Sequence, residues 1–497
     1  MVRLTFLKGR EHEMRGRIKF GTDGWRGVIA DDFTFDKVRV VAQAIADVVK
    51  EDPKAERGIL VGYDTRFLSR EFAEAVAEVL AGNGFKVYLS EGPVPSPVVS
   101  WGVARLNLAG AVMITASHNP PKFNGVKFKA SYGGSADKAI TDRMQERANN
   151  LLERGEEPKS LDLEEAKGKG LVEEVDLREE YLADILSKVD IEAIRGAKIK
   201  AVVDPMHGAS AGFMDEALRR AGVEVVAIRA ERNPGFGGSF PEPIPPHISP
   251  LQEKVREVGA DVGFATDGDG DRLGVVDEAG TFVNPHRVLA LLLMHLYEDL
   301  GWRGEVVRTV STTRMVDLLC ERYGLRCHEV PVGFKHICAL MLERDIMVGG
   351  EESGGVGFKG HIPERDATLS ALFFCEMMAM RGKRPSELLE ELWGKVGEHY
   401  YRRIDCLFED EPERRDRIMA ELKASPPSEV EGLKVERVDT KDGVKLYLKG
   451  GSWLLFRASG TEPLIRVYAE AREKELVDRV IEWGAKRVGG EWMISSW

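Results

Sequence analysis

Short runs of β-branched residues alternate along the chain with longer stretches whose apolar residues recur at helical spacing. Three regions repeat one order, in which a strand is followed by a turn and then by an amphipathic helix that ends near a glycine. The predicted strands are GILVGYDTR (58–66), AKIKAVVDP (197–205) and GEVVRTVST (304–312), and the helices after them are EFAEAVAEVLAGNGF, SAGFMDEALRRAGV and MVDLLCERYGL. This repeat predicts three parallel α/β units, whose ligand-binding loops lie beyond the carboxyl ends of the strands.

The C-terminal part of the chain has a different pattern. VKLYLKGGSWLLFRAS predicts a β-hairpin, and LIRVYAEA predicts a further strand. Two charge-rich segments, 151–180 and 409–432, are predicted to be a connector and a domain boundary. Residues 472–488 form a predicted helix with one apolar face, made of Leu476, Val477, Val480, Ile481 and Val488. These elements indicate an α+β domain that differs from the three α/β units.

Composition and charge narrow the class of protein. The chain has 497 residues, 43% of them hydrophobic and 31% charged, and a net charge of −12 that does not indicate a nucleic-acid partner. The apolar run VLALLLMHLY (288–297) is too short to span a membrane and predicts a core helix. The N-terminal stretch MVRLTFLKGREHEMRGRIKF is charged throughout, unlike a signal peptide. Five cysteines without a C-x-x-C pair favour free thiols and a cytoplasmic location; they are Cys320, Cys327, Cys338, Cys375 and Cys406.

The stretch AVMITASHNPPKFNGVKF (111–128) begins as an apolar strand and then presents Ser117, His118 and Asn119. An ordinary turn is one interpretation. A serine hydrolase is another, but the G-x-S-x-G pattern is absent. In an extended chain, Ser117 and His118 would also point to opposite sides, so the histidine would not readily serve as base. A third interpretation is that Ser117 is presented to a group that carries phosphate.

Three aspartates alternate with glycines in ATDGDGDRLGVVDEAG (265–280): Asp267, Asp269 and Asp271. Carboxylates this close repel one another unless a cation neutralises them, and oxygen ligands favour Mg²⁺ or Ca²⁺. An EF-hand would have Glu278 at position 12, but Arg272 stands at position 6, where that loop needs glycine. The flanking segments are also strand-like. The sequence therefore predicts one Mg²⁺ site at the end of a strand.

Further motifs are weak when each is taken alone. FRASGTEPLIRVYAE (456–470) combines small residues, hydroxyls and arginines that suit a phosphate dianion. VGGEESGGVGFKGHIPERD (348–366) contains two adjacent acids that could accept bonds from sugar hydroxyls. FGTDGWRGVI, GYDTRFLSR and PVGFKHI add Arg26, Arg66, Lys335 and His336 near turns, where such residues are usually structural or exposed.

Taken together, five of these motifs identify a family. FGTDGWRG, TASHNP, DGDGDR, GEESGG and RASGTEP occur in this order over residues 20–470, and the chain resembles the α-D-phosphohexomutase superfamily on its phosphoglucomutase/phosphomannomutase branch. The resemblance implies an α/β fold of three related α/β domains, with mixed, largely parallel sheets, and a C-terminal α+β domain around a central cleft. The corresponding domains are 1–165 with a phosphoserine loop, 166–284 with a metal loop, 285–398 with a sugar loop and 399–497 with a phosphate loop.

The resemblance also implies a mechanism. Ser117 would carry a phosphoryl group and give it to a free hydroxyl of a hexose monophosphate, which forms a hexose 1,6-bisphosphate. The bisphosphate turns around and returns its other phosphate to Ser117, so that phosphate moves between C1 and C6. Mg²⁺ would be held by Asp267, Asp269 and Asp271 against a phosphate oxygen on Ser117.

The remaining roles are carried over from the same resemblance. Lys127 is the favoured general acid and base, and His118 is a further candidate. Arg26 and Arg272 would stabilise charge, since arginine does not deprotonate. The implied substrate-binding residues are Gly350, Glu351, Ser353, Lys335, His361 and Arg365. The implied phosphate-binding residues are Arg457, Ser459, Gly460, Thr461 and Arg466.

One departure from the family pattern bears on the choice of sugar. Phosphomannomutase-type loops often have histidine after GE-x-SG, where this chain has Gly355. GHIPERD supplies His361, Arg365 and Asp366 downstream, which is more similar to phosphoglucomutases. Glucose 1-phosphate and glucose 6-phosphate are therefore the expected substrates. A phosphomannomutase or dual-specificity enzyme is the alternative, and a phosphoglucosamine mutase is a lesser one.

Two alternatives come from other classes: a non-catalytic phosphosugar-binding protein and a phosphatase. The presence of the motif serine and of all three aspartates argues against the first. The expected partners are small hexose phosphates, with neither nucleic acid nor membrane, and the expected state is a monomer or homodimer.

Overall fold

The computed structural model describes residues 16–21, 24–408, 412–460 and 462–494. Within these residues the chain forms three α/β domains and a C-terminal domain built on an antiparallel sheet. The predicted fold class is confirmed.

The first sheet has six strands in the order β1-β5-β4-β2-β3-β6, of which β2, β3, β4 and β6 run parallel and β1 and β5 complete antiparallel pairs. Its strands are β1 (Trp25–Val28), β2 (Ile59–Tyr63), β3 (Val87–Ser90), β4 (Gly110–Ile114), β5 (Phe123–Ala130) and β6 (Val172–Val175). Its helices are α1 (Phe35–Val49), α2 (Ser69–Gly82), α3 (Ser96–Leu106), α4 (Lys138–Arg154), α5 (Leu163–Gly168) and the short turn Ala55–Arg57.

The second sheet has the order β11-β10-β9-β7-β8. Its strands are β7 (Lys200–Asp204), β8 (Glu224–Ala227), β9 (Val262–Thr266), β10 (Leu273–Asp277) and β11 (Phe282–Val283). The helices around it are α6 (Arg178–Leu186), α7 (Ile191–Ala197), α8 (Met214–Arg220), α9 (Ser249–Val258) and the short turn Phe236–Gly238.

The third sheet has the order β13-β12-β14-β15. Its strands are β12 (Glu305–Thr309), β13 (Cys327–Val330), β14 (Ile346–Gly350) and β15 (Val356–Phe358). Its helices are α10 (Pro285–Met294), continued by a wider turn at His295–Asp299, α11 (Met315–Tyr323), α12 (Phe334–Glu343), α13 (Ala367–Arg381) and α14 (Pro385–Val396).

The three α/β domains share one topology. In each, two parallel crossovers through helices are followed by a hairpin, so that β2-α2-β3-α3-β4-β5 corresponds to β7-α8-β8-α9-β9-β10 and to β12-α11-β13-α12-β14-β15. The hairpin loops, residues 115–122, 267–272 and 351–355, therefore occupy equivalent positions at the carboxyl end of the third strand of each repeat. The serine, the aspartates and the acidic sugar motif lie in these three loops.

The C-terminal domain is a seven-stranded antiparallel sheet in the order β17-β18-β19-β20-β21-β16-β22. The predicted hairpin, strand and helix are confirmed as β19 with β20, β21 and α16. The elements are β16 (Tyr400–Leu407), α15 (Pro412–Ala424), β17 (Glu429–Val430), β18 (Leu433–Asp439), β19 (Val444–Leu448), β20 (Trp453–Ala458), β21 (Leu464–Ala471), α16 (Lys474–Val488) and β22 (Glu491–Ile494).

Two predictions about connecting segments were wrong in part. The segment 151–180 contains α5 and β6, and β6 pairs with β3, so the first sheet extends past residue 165, where the first domain was predicted to end. β6 is an edge strand with the sequence VEEV, and its two central acids are exposed, which explains why its pattern resembles a solvated connector. The segment 409–432 contains α15, which packs on β20 as part of the C-terminal domain.

One apolar cluster joins the first three domains and contains Leu60, Phe264 and Leu372, one from each. The C-terminal domain has its own core and meets the third domain through a small cluster of Val310, Tyr401, Trp453, Leu455 and Tyr468. The five cysteines are free thiols, as predicted. None of the described helices is long and apolar enough to cross a membrane.

Candidate functional site

The hairpin loops of the first two domains meet at Ser117. Its Oγ donates a hydrogen bond to Oδ2 of Asp267, which lies 2.7 Å away, and both side chains are buried. The two loops occupy equivalent positions in their domains. A hydroxyl from the first domain therefore meets a carboxylate from the second. The structure therefore joins the serine and aspartate motifs, which lie far apart in the sequence, at one site.

Ser117 is not extended. Its φ of 53° lies in the left-handed region, and its N–H donates to Thr115 Oγ1 at 2.8 Å. The expectation that Ser117 and His118 point to opposite sides was therefore wrong, because it assumed a strand conformation. His118 Nδ1 lies 3.5 Å from Ser117 Oγ.

The aspartate triplet forms a compact, fully buried group. Asp267, Asp269 and Asp271 each offer one oxygen within 4.8 Å of the others. Burial and the two neighbouring carboxylates raise the pKa of Asp267 well above its usual range. Burial alone would also raise the pKa of Asp269, but the charge and hydrogen bond of Lys127 lower it. Among the described residues, Asp269 Oδ1 is buried and has no hydrogen-bond partner, as expected of an oxygen that ligates a metal.

Cationic side chains surround the triplet. Lys127 Nζ lies 2.9 Å from Asp269 Oδ2 and 3.5 Å from Asp271 Oδ2. An Arg365 amino nitrogen lies 2.8 Å from Asp271 Oδ2, and Arg272 Nε lies 3.8 Å from both Asp267 and Asp271. These three cations offset part of the repulsion among the carboxylates. The site therefore contains oxygen ligands for a hard cation and positive groups suited to a phosphoryl group.

The metal loop, residues 267–272, is also held by a residue of the first domain. The sequence analysis did not single out this residue. Ser96, at the start of α3, donates its hydroxyl to Asp269 Oδ2 and its N–H to the Asp269 carbonyl at 2.8 Å. Serine before proline at a helix start is common, so no local signal distinguishes this residue.

The sugar motif occupies the equivalent loop of the third domain. An Arg365 amino nitrogen lies 3.2 Å from Glu351 Oε2, which links this loop to the aspartate triplet through one guanidinium. A Cβ on Gly355 would lie 2.2 Å from Arg365 Cδ, so the arginine side chain occupies the space that a side chain at Gly355 would need. A Cβ on Gly350 would lie 2.6 Å from Leu289, so close packing explains why glycine stands at this position. Ser353 is half-buried in the same loop.

Glu351 provides a pH-dependent prediction. Burial, partly offset by Arg365, raises its pKa to about 7. The carboxylate is therefore the main form only above pH 7, and protonation below that pH would remove the acceptor that the sequence predicts for sugar hydroxyls. If Glu351 has this role, we expect the KM for the implied hexose phosphate substrate to rise about tenfold from pH 8 to pH 6, following the protonated fraction. Steady-state kinetics on wild type and Glu351→Gln test this, since the KM of the variant should not follow this titration; the same pH dependence in both would contradict it.

His361, which was predicted to bind substrate, belongs with Asp366 to a buried network. His361 Nε2 and the Tyr181 hydroxyl each lie 2.8 Å from Asp366 Oδ2, and His361 Nδ1 lies 3.8 Å from Asp184. Asp366 also caps α13. These contacts give His361 a structural role between the second and third domains. The structure does not bring it to the aspartate triplet.

The phosphate motif lies at the β20–β21 turn. Arg457 Nε is 2.8 Å from Asp442, and an Arg466 amino nitrogen is 2.9 Å from Glu462. Arg415 on α15 donates to the carbonyls of Ser459 and Glu462, both at 3.0 Å, and so braces the turn from within its own domain. Thr461 lies outside the described residues.

Two lysines from other domains lie beside the C-terminal domain, and one of them, Lys335, was predicted to bind substrate. Lys19 of the first domain reaches the Gly460 carbonyl at 3.4 Å. Lys335 is half-buried in the first turn of α12. Burial first, and then the charges of Lys335 and Arg457, lower the pKa of His336. The N–H of Val332, just before this helix, donates to Asp442 of the C-terminal domain at 2.8 Å.

The positive charges of four residues from three domains act on His118. Its pKa is lowered well below the usual value by burial first and then by the charges of Arg272, Arg26, Arg466 and Lys127. Arg26 also donates to the side chain of Asn119. A region where several cations face one neutral imidazole suits a dianionic ligand.

Comparison with known proteins assigns each domain. Residues 17–154, 179–280 and 284–396 match the models for phosphoglucomutase/phosphomannomutase alpha/beta/alpha domains I, II and III. Residues 413–483 match the model for the C-terminal domain of the same family.

Similar proteins match along nearly their whole length. The Thermococcus kodakarensis protein named phosphoglucomutase/phosphomannomutase is 31% identical, over 94% of this chain and 97% of that protein. A Methanothermobacter thermautotrophicus protein named "Probable phosphoglucosamine mutase" is 32% identical, over 92% and 94%. A solved structure named "putative phosphomannomutase" from Thermus thermophilus superposes with a TM-score of 0.83 at 38% identity, over 96% and 100%. The chain belongs to the phosphoglucomutase/phosphomannomutase family and is a phosphohexomutase, an isomerase that acts on hexose phosphates.

Proposed function

We propose that this phosphohexomutase interconverts glucose 1-phosphate and glucose 6-phosphate through a phosphoserine at Ser117 and a hexose 1,6-bisphosphate. The observation that carries the proposal is the placement of Ser117 Oγ 2.7 Å from Asp267, within a buried aspartate triplet and beside several cationic side chains. A serine in an ordinary turn would need neither a cluster of carboxylates nor several cations beside it.

Phosphoryl transfer needs charge stabilisation and in-line positioning more than covalent assistance. Asp267, Asp269 and Asp271 would hold Mg²⁺, which supplies positive charge to the phosphate oxygens when bound. Arg26 and Arg272 would stabilise the charge that spreads over the transferred group. Arg457 and Arg466, with the backbone of Ser459 and Gly460, would hold the phosphate at the far end of the sugar. Closure of this turn towards Ser117 would exclude the water that hydrolyses phosphoserine.

Two residues are proposed for the proton transfers. Lys127 is the proposed acid and base at the sugar hydroxyl, because its ammonium group lies within the triplet at 2.9 Å from Asp269. His118 is the second candidate. Its lowered pKa leaves the ring neutral at pH 7, and its Nδ1 is 3.5 Å from Ser117 Oγ, so it could accept a proton there.

Glu351, Ser353 and Lys335 would hold the sugar in both orientations. The names of the relatives span glucose, mannose and glucosamine phosphates, so the sugar must be argued from this chain. The side chain of Arg365 packs against Gly355 and pairs with Glu351. The polar groups of these two side chains are therefore held in one arrangement. A fixed pocket that binds the C2 hydroxyl in one configuration leaves groups unpaired with the epimer.

We expect kcat/KM for glucose 1-phosphate to exceed that for mannose 1-phosphate by roughly 5- to 150-fold, since an unpaired buried polar group costs about 1–3 kcal/mol. Glucose, mannose and glucosamine 1-phosphates should be compared in one assay, each primed with its own 1,6-bisphosphate at saturating Mg²⁺. Gly355→His should reduce the preference, because its Cβ must displace Arg365. Equal efficiencies for glucose and mannose would establish a dual-specificity enzyme, and a preference for glucosamine 1-phosphate would replace the proposed sugar.

A further inference from the structure

We infer that Arg66 is the positioning residue that holds Ser117 in its left-handed conformation and thereby sets the rate of phosphoryl transfer. The inference rests on the proposed phosphoserine function. Arg66 follows β2, and its guanidinium is fully buried beneath the serine loop. Among the described residues, the ion pair of Arg66 is with Asp64 and not with the triplet, and its amino nitrogens bond the backbone that carries Ser117.

The guanidinium binds the whole turn of the loop. One amino nitrogen of Arg66 donates to the carbonyls of Ser117 and Asn119, both at 2.6 Å. The other donates to the carbonyls of Pro120 at 3.0 Å and Phe123 at 3.1 Å. The planar guanidinium of Arg66 therefore binds four carbonyls at once. The single ammonium group of lysine does not reproduce this geometry.

Asp64 completes the anchor from the other side of the serine. It pairs with Arg66 Nε at 3.1 Å and accepts the Thr115 hydroxyl at 2.6 Å. Thr115 Oγ1 in turn accepts the Ser117 N–H at 2.8 Å. The N–H of Ser117 is thus fixed through Thr115 and Asp64, and its carbonyl is fixed by Arg66. The buried Asp64–Arg66 ion pair therefore anchors both sides of Ser117: its carbonyl directly, and its N–H through Thr115.

This anchoring opposes the backbone preference of serine. A non-glycine residue with φ of 53° is in a sparsely populated region, so the conformation persists only where the surroundings enforce it. The metal loop packs against the same point, because a Cβ on Gly268 would lie 2.5 Å from the Ser117 carbonyl oxygen. Arg66 also lies over the Phe236 ring of the second domain, 4.9 Å from its centroid. If the loop relaxed, Ser117 Oγ would shift relative to Asp267.

The test separates positioning from general stability. Arg66→Lys keeps a charge beside Asp64 but removes the fork. We expect saturating single-turnover phosphorylation of Ser117 by glucose 1,6-bisphosphate to slow roughly 100-fold, the effect of a displacement of about 1 Å, with the KM for glucose 1-phosphate within about threefold of wild type. Arg381→Lys is the matched control. Arg381 is largely shielded, with 10% of its side chain exposed, and pairs with Glu298, Asp299 and Glu391 in the third domain. Its variant should lose comparable thermal stability without a change in the phosphorylation rate.

Thr115→Val provides a second variant if Arg66→Lys does not fold. It preserves shape and leaves Arg66 in place but removes the acceptor for the Ser117 N–H, and we expect a roughly tenfold slower phosphorylation with KM unchanged. Wild-type rates in the folded Arg66→Lys or Thr115→Val protein would overturn the inference, as would an equal slowing in Arg381→Lys. If wild-type protein itself acquires no phosphate on Ser117 from the bisphosphate, the proposed function fails, and that outcome is distinct from the others.

Discussion

Ser117→Ala is expected to abolish the interconversion of glucose 1-phosphate and glucose 6-phosphate while the fold persists. The substitution removes the hydroxyl that would carry the phosphoryl group, its hydrogen bond to Asp267 and its longer contact with His118 Nδ1. Thr115 cannot replace it, since its hydroxyl is committed to Asp64 and to the Ser117 N–H. Loss of the group that forms the covalent intermediate should lower kcat on the order of 10⁴-fold or more. The lost hydrogen bond should cost only about 1 kcal/mol of stability.

The measurement combines coupled-enzyme kinetics with mass spectrometry of the intact protein and its peptides. Wild-type protein incubated with glucose 1,6-bisphosphate should carry one phosphate on the peptide that contains Ser117, and the alanine variant should carry none there. Ser370→Ala is the matched control. It also removes a buried serine hydroxyl, one that bonds the Asp366 carbonyl in α13, and it should retain full activity. Substantial turnover in Ser117→Ala, or stoichiometric phosphate elsewhere, would exclude the phosphoserine.

The sequence predicts the parts of this fold that depend on local pattern. β2, β7 and β12 are short β-branched runs with fully or largely buried faces, and the helices that follow them have one apolar side and a glycine near their ends. These features depend on neighbours within a few residues. The edge strand β6 was missed because its exposed VEEV pattern lacks a continuous apolar run, and it is defined by its pairing with β3.

The site was predictable only where chemistry is concentrated in one motif. Ser117 and the three aspartates stand in motifs whose residue types suggest phosphate and metal. Ser96 and Lys129 act through residues distant in sequence, and nothing in their own surroundings marks them. Arg66 stands in GYDTRFLSR, where it resembles an ordinary arginine near a turn, and its partners in the serine loop are also distant in sequence. Lys129, for example, forms a fully buried ion pair with Glu364 at 2.6 Å, which links the first domain to the loop that carries Arg365. Such contacts are set by how domains pack, which a single sequence does not show.

The repeated topology explains why one site needs three domains. Each α/β unit places one hairpin loop at the same end of its sheet, and the three loops carry a serine, three aspartates and two adjacent glutamates. Lys127 and Lys129 lie on one face of β5, the strand that follows the serine loop, and pair with Asp269 and Glu364 respectively. Glu364 is next to Arg365, which pairs with Glu351. Buried charges thus connect β5 to the aspartate loop directly and to the third domain's loop through Arg365. Displacing any one loop should therefore affect transfer.

Removal of divalent metal is the second expected large effect. Chelation should stop turnover, because loss of charge stabilisation worth several kcal/mol slows transfer on the order of 10³-fold. Mg²⁺ should restore the rate better than Ca²⁺, because its tighter octahedral shell fixes the phosphate geometry. The donor set supports a hard cation: three buried carboxylates whose ligand oxygens lie within 4.8 Å, with Asp269 Oδ1 unbonded among the described residues.

Asp267→Asn tests the assignment directly, and Asp277→Asn is its control in the same β9–β10 hairpin. Asp277 is also buried, and its carboxylate accepts hydrogen bonds from Ala279 and Thr281, so its loss should affect stability and not metal binding. Titration calorimetry with Mg²⁺ should show binding to wild type and to Asp277→Asn, and much weaker binding to Asp267→Asn. Full activity after exhaustive chelation, with metal analysis confirming its removal, would refute a catalytic metal. Equal Mg²⁺ affinity in Asp267→Asn would instead show that Asp267 serves only as the hydrogen-bond acceptor of Ser117.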